Sequence, residues 1–112
     1  MKMLIYPKIE NPTDDKIKKF RQKILDSLVE DSTTWAKLER KINLKDNVEL
    51  PLFTHIKEQF KNEPFYFRFG DDYVSLNFER NKDKNSKSMI IGMLTYYLIY
   101  NLNDIVEKIE IK

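Results

Sequence analysis

TWAKLERKINLKDNVELPLFTHIKEQFK, residues 34–61, is the stretch whose reading decides the fold. Trp35, Leu38 and Ile42 stand three and four residues apart, which predicts a helix over 34–42 led by the polar run at 31–34. Pro51 suits the first turn of a further helix, because the first N–H groups of a helix have no intrahelical acceptor. Phe53, Ile56 and Phe60 would line its inner face with Leu52 beside them, and Asn62 and Pro64 would stop it. Residues 43–50, between the two, read as polar and irregular.

Upstream, MLIY at 3–6 predicts a short strand stopped by Pro7. Thr13, Asp14 and Asp15 supply a helix cap with acidic residues in the first turn, where the helix dipole favours negative charge. Ile17, Phe20, Ile24 and Leu28 follow at helical spacing, so an amphipathic helix is expected to end near Glu30. Downstream the period changes to two. Phe65, Phe67 and Phe69 alternate with Tyr66 and Arg68, Gly70-Asp71-Asp72 makes a turn, and Val74, Leu76 and Phe78 return, which predicts a β-hairpin. RNKDKNSKS at 80–88 reads as a lysine-rich loop. From Met89 to about 101–103 the chain is apolar nearly all round, as in a helix buried on most of its surface. Residues 105–112 read as a final strand or as a continuation of that helix.

The composition excludes several chemistries. The 112 residues contain no cysteine, one histidine (His55) and two glycines, which removes disulfides, thiolate metal sites, cysteine nucleophiles and glycine-rich phosphate loops. With 41% hydrophobic residues the chain can bury a core. Twenty Lys and Arg against eighteen Asp and Glu leave it only mildly basic, at +2. The apolar runs are too short for a signal peptide or for the roughly 20 residues of a membrane span, so a cytoplasmic protein without membrane contact is expected. No catalytic constellation, metal site or cofactor motif is read. His55 alone is an ordinary side chain rather than a catalyst, and turn chemistry accounts for Asp71 and Asp72 without a metal.

From Lys19 to Phe78 the order of these elements resembles the winged helix-turn-helix superfamily. FRQKILDSLVED would be its first helix, residues 32–34 a short strand, TWAKLERKINL the second helix, PLFTHIKEQFK the recognition helix and FYFRFGDDYVSLNF the wing. The expected fold is α+β within one domain over 1–112: a winged-helix-like core at 13–80 of three helices and a hairpin, an N-terminal strand, and a C-terminal packing or dimerisation element at 89–112. The resemblance implies a non-enzymatic DNA-binding regulator whose third helix enters the major groove. Thr54, His55, Lys57 and Lys61 would contact bases or phosphates, and Arg68, Arg80, Lys82 and Lys84 would form the cationic cluster beyond the hairpin. A homodimer through residues 89–100 would bury the surplus apolar surface of the last helix. The alternative is a protein-interaction module such as an inhibitor, adaptor or immunity-type factor. The near-neutral charge, Glu58 on the outer face and the acidic hairpin turn favour that alternative.

Overall fold

The computed structural model describes residues 2–80 and 83–112. In chain order it contains β1 (Met3–Pro7), α1 (Asp14–Glu30), β2 (Trp35–Asn43), β3 (Glu49–His55), a 3-10 turn (Glu58–Phe60), β4 (Phe65–Phe69), β5 (Val74–Phe78), α2 (Lys84–Asn101) and β6 (Val106–Ile111). The six strands form one sheet in the order β2-β3-β4-β5-β1-β6, with every pairing antiparallel. β1 is therefore central although it comes first, held between β5 and β6.

The three-helix core expected over 13–80 is overturned. Residues 34–42 are strand β2 and residues 51–55 belong to strand β3, so the second helix and the recognition helix of a winged helix-turn-helix are both absent. The reason lies in a second period hidden in the same residues. Ala36, Leu38, Ile42 and Leu44 occupy even positions of a two-residue alternation, as do Leu50, Leu52 and Thr54. Residues 44–48 form the turn that joins the two strands, closed by the Leu44 N–H to the Val48 carbonyl at 2.9 Å. Asn47 takes a left-handed conformation there (φ 61°), which asparagine tolerates. Pro51 is accommodated because β3 pairs with β4 only at Phe53–Phe65; at Pro51 it has a ladder to β2 alone.

The elements with one unambiguous period form where the spacing places them. Thr13 caps α1 by accepting from the Lys16 N–H, and Ile17, Phe20, Ile24 and Leu28 are buried. β4 and β5 form the expected hairpin, in register from Phe65–Phe78 to Phe69–Val74. Gly70 ends it; an added Cβ would lie 2.4 Å from the Tyr73 ring. The apolar helix starts earlier than the sequence suggests, because Asp83 caps it through the N–H groups of Asn85 and Ser86. The strand reading of the C-terminal segment holds: β6 pairs with β1 from Val106 to Ile111.

Both helices cover one face of the sheet. Met3 and Ile5 of β1, Phe53 of β3, Phe65 and Phe67 of β4 and Val74 and Leu76 of β5 join the buried faces of α1 and α2 in one core. The opposite face is partly covered by the β2–β3 ribbon. Its register shifts between Lys37 and Lys41, a bulge that bends it. The Arg40 guanidinium then reaches the Glu79 carboxylate just beyond β5 in a two-pronged pair, with Nη2 donating to Oε1 at 2.7 Å. Asp46 at the ribbon tip lies 3.5 Å from Arg68 on the outer face of β4. Leu4, Leu50, Leu52 and Thr54, on that face by strand alternation, are buried.

These placements separate two scales of stabilisation. Ile24→Ala should lower the unfolding free energy by about 2–5 kcal/mol, since it empties a fully buried site. Arg40→Ala should lower it far less, since half of that side chain is in water and its attraction to Glu79 is screened. Urea titration of both variants checks the ordering.

Candidate functional site

Of the eight residues chosen from the sequence, the seven that are described do not form one surface. Thr54 and His55 are buried in β3, and they point to opposite faces of the sheet by strand alternation. Lys57 and Lys61 flank the 3-10 turn, and Lys61 is paired with Glu58 at 2.8 Å. Arg68 sits on the face away from the helices, beside Asp46. Arg80 is exposed beyond β5, Lys84 begins α2, and Lys82 lies outside the described residues. A groove-reading helix carrying Thr54, His55, Lys57 and Lys61 does not exist, because its first two members lie in a strand.

The structure instead brings Trp35, His55 and α2 together. Trp35 opens β2 directly opposite His55 in β3. The indole meets three rings edge-on: His55 at 5.2 Å, Phe65 at 5.8 Å and Tyr97 of α2 at 5.7 Å. Beside this cluster is a cavity of about 550 Å³ lined by Trp35, His55, Met89, Gly92, Met93 and Tyr96, with Thr34, Tyr97 and Asn101 completing the wall. Among the described residues no Asp, Glu, Lys or Arg lines it. Its size falls in the range of ligand pockets, about 300–1,000 Å³.

The polar atoms of this site are few, and their states follow from their partners. Trp35 is 2% exposed and its Nε1–H has no acceptor among the described residues. His55, 6% exposed, accepts the Lys57 backbone N–H at Nδ1 (3.1 Å). Burial, and then the nearby Lys57 charge, push the imidazole below its ordinary pKa. The ring is therefore neutral at pH 7 and carries its proton on Nε2. The Tyr97 hydroxyl is already engaged, donating to the Ser27 carbonyl at 3.0 Å and lying 2.7 Å from the Ser27 hydroxyl. Among the described residues the cavity wall is thus mostly apolar and aromatic, with Thr34, His55 and Asn101 as its other polar side chains.

Along its rim runs the outer face of α2. Met89, Tyr96, Ile99 and Tyr100 are 52%, 69%, 55% and 72% exposed, while Ile90, Ile91, Leu94 and Leu98 are buried on the other side. At 100° per residue the exposed set, with Gly92 and Met93, forms one stripe. Tyr96 and Tyr100 stack with ring centroids 5.8 Å apart. Gly92 is the gap in the stripe, and nothing lies within 4 Å of where its Cβ would be. The sequence signal for this face was the all-round apolarity of the last helix. No sequence pattern marked Trp35 as the floor of a cavity, because its neighbours come from three distant segments.

A second cavity, of about 620 Å³, lies on the other side of Tyr97 between the C-terminal ends of α1 and α2. Its wall is polar, with Lys23, Asp26, Glu30, Asp31 and Asp104. Among the described residues no group of three or more His, Asp or Glu is placed to hold a metal. No described helix is long and apolar enough to cross a membrane. Comparison with family models, curated proteins and solved structures finds no match for this α+β architecture or its sequence.

Two changes test the local physics. His55 has a depressed folded-state pKa, so the unfolded chain takes up a proton first as pH falls. Stability is then lost below the unfolded value of about 6.5, and the loss levels off once pH passes the folded-state pKa. Denaturant midpoints between pH 7.5 and 5 should show this slope in the native chain and a shallower one in His55→Asn. Gly92→Ala should stabilise the isolated protein by about 1 kcal/mol, because alanine is the better helix former and the added methyl meets nothing.

Proposed function

We propose that the protein is a non-enzymatic protein-interaction module whose docking face is the outer stripe of α2 together with the groove beside it. The observation that carries this reading is the exposure of four large apolar side chains, Met89, Tyr96, Ile99 and Tyr100, on one helix face next to an apolar cavity. Scattered exposed apolar residues are ordinary, but a contiguous set beside a concavity is the signature of an interaction surface. Tyrosine is also among the side chains most enriched where binding energy concentrates.

Gly92 supports the same reading. A mid-helix glycine costs about 1 kcal/mol relative to alanine, and inside this protein no close contact demands it. A partner seated on the stripe gives it a use, since the missing side chain lets another chain approach the helix backbone. The cationic residues support nucleic-acid binding less well: Lys61 and Arg68 face carboxylates, and the segment expected to read bases is a strand.

The test begins with photo-crosslinking from position 96 to identify the partner, followed by calorimetry with purified components. Tyr96→Glu and Ile99→Glu should each weaken binding by about thirtyfold or more, as expected of central interface residues. Lys19→Glu on the exposed side of α1 should leave it unchanged. Equal affinity in all three variants would overturn the reading. So would a homodimer in sedimentation that dissociates in Tyr96→Glu, which assigns the stripe to a second copy. Salt-sensitive duplex DNA binding that is lost on charge reversal at Lys57 and Arg80 would overturn it in favour of nucleic acid.

A further inference from the structure

An open sheet ends in two strands whose outward main-chain groups have no neighbouring strand, and native proteins blunt such edges with charges, bulges or prolines. At the β2 edge charges and a bulge are both present. Its register shifts between Lys37 and Lys41, and Lys37, Glu39, Arg40 and Lys41 are exposed along it. The β6 edge is different, and no described strand lies beyond it. From Lys108 to Ile111 it runs in unbroken register against β1, and it contains no proline. Its register shift lies before that stretch, at Tyr6 and Pro7 of the partner strand.

The printed hydrogen bonds fix which groups face the open side. Lys2 and Lys112 exchange both main-chain bonds, at 2.7 and 2.8 Å. In an antiparallel ladder such doubly bonded pairs alternate with unbonded ones. Leu4–Glu110 and Tyr6–Lys108 are therefore bonded pairs, and Ile109 and Ile111 turn their N–H and C=O groups away from β1. Side chains alternate as well. Ile109 and Ile111, opposite Ile5 and Met3, lie on the helix-covered face, where Ile109 is partly buried and Ile111 is 50% exposed. Lys108 and Glu110 lie on the other face, with the Lys108 ammonium 4.6 Å from the centre of the Tyr6 ring.

We infer that β6 is a self-association edge, on which β6 of a second copy of this chain pairs antiparallel with Ile109 at the centre. Antiparallel pairing joins outward-facing residues to outward-facing ones, which limits the possible registers. Centring on Glu107, Lys108 or Glu110 sets that residue's charge against its own copy, which is unfavourable. Centring on Ile111 engages only residues 110–112 and leaves Ile109 uncovered. Centring on Ile109 sets Lys108 opposite Glu110 of the second copy and Glu110 opposite its Lys108, with the two Ile109 side chains meeting between them. Lys-Ile-Glu at 108–110 is thus its own antiparallel complement, which favours a second copy over an unrelated strand. The sheet becomes continuous across the two copies. None of Met89, Tyr96, Ile99 or Tyr100 is used, so this association stands independently of the α2 docking face.

Sedimentation equilibrium of the chain from about 10 μM to about 1 mM covers the affinities of a small interface. The expected result is a monomer–dimer equilibrium. Lys108→Glu and Glu110→Lys should each weaken it by about tenfold or more, since each sets like charges opposite one another twice. The double variant Lys108→Glu/Glu110→Lys should restore it, and a mixture of the two single variants should associate more tightly than either alone. Damage to the fold would not produce that rescue. Amide hydrogen exchange gives a second readout. The Ile109 and Ile111 amides should gain protection as concentration rises, while those of Lys108 and Glu110, already bonded to β1, stay unchanged. A chain that is monomeric at the highest concentration, a double variant as weak as the single ones, or unaltered exchange at Ile109 and Ile111 would overturn the inference. So would a dimer that survives Lys108→Glu and dissociates in Tyr96→Glu, which places the contact on α2.

Discussion

The indole of Trp35 is the contact on which the rest of the structure closes. It belongs to β2, lies opposite His55 of β3, and meets Phe65 of β4 and Tyr97 of α2 edge-on. Four elements that are remote in sequence therefore share one ring. Edge-to-face packing of this kind adds about 0.5–1.5 kcal/mol per pair beyond area burial, and it is directional. The contact thus sets where α2 lies over the sheet as well as how strongly it is held. Tyr97 extends the link to α1 through Ser27, so the two helices are joined by a polar contact at the edge of an otherwise apolar layer.

A one-sided sheet follows from the same packing. α1 and α2 take the face formed by Met3, Ile5, Phe65, Phe67, Val74 and Leu76, which leaves the other face to solvent and to the folded-over ribbon. The bulge between Lys37 and Lys41 lets the ribbon leave the plane, and Arg40–Glu79 and Asp46–Arg68 hold it there. Three of those four side chains are near half exposed or more, so their attraction is screened and their main effect is on geometry. The buried Leu50 and Leu52 supply the stronger driving force. Among the described helices α2 alone is left with a long apolar face that no element covers, and the docking face is proposed there for that reason.

The candidate site illustrates how function-bearing geometry escapes a linear reading. Tyr96 and Tyr100 were legible as core or interface side chains because α2 is apolar on too many sides for one contact. Trp35 read as the first core residue of a helix, and His55 as a solvent-facing member of another. In the folded protein they are cross-strand neighbours, since antiparallel pairing joins residues whose numbers differ by twenty. The described cationic residues chosen for phosphate contact are divided among the 3-10 turn, the outer face of β4, the segment after β5 and the start of α2. The helix that would have gathered Thr54, His55, Lys57 and Lys61 does not form.

What the amino-acid sequence determined by itself was every segment with a single dominant period. α1 with its Thr13 cap, the Phe65–Phe78 hairpin, the apolar α2 and the first strand all follow from local spacing and local caps. Residues 34–61 were settled by tertiary structure alone. They satisfy the helical period through Trp35, Leu38 and Ile42 and the strand period through Ala36, Leu38, Ile42 and Leu44 at once. A strand also acquires most of its stabilisation from a partner, so its hydrogen bonds cannot be counted within the segment. Here the partner strand β4 is already committed by its own alternation, and a ladder beginning at Phe53–Phe65 together with burial of Trp35 outweighs the intrinsic preference of either segment for helix.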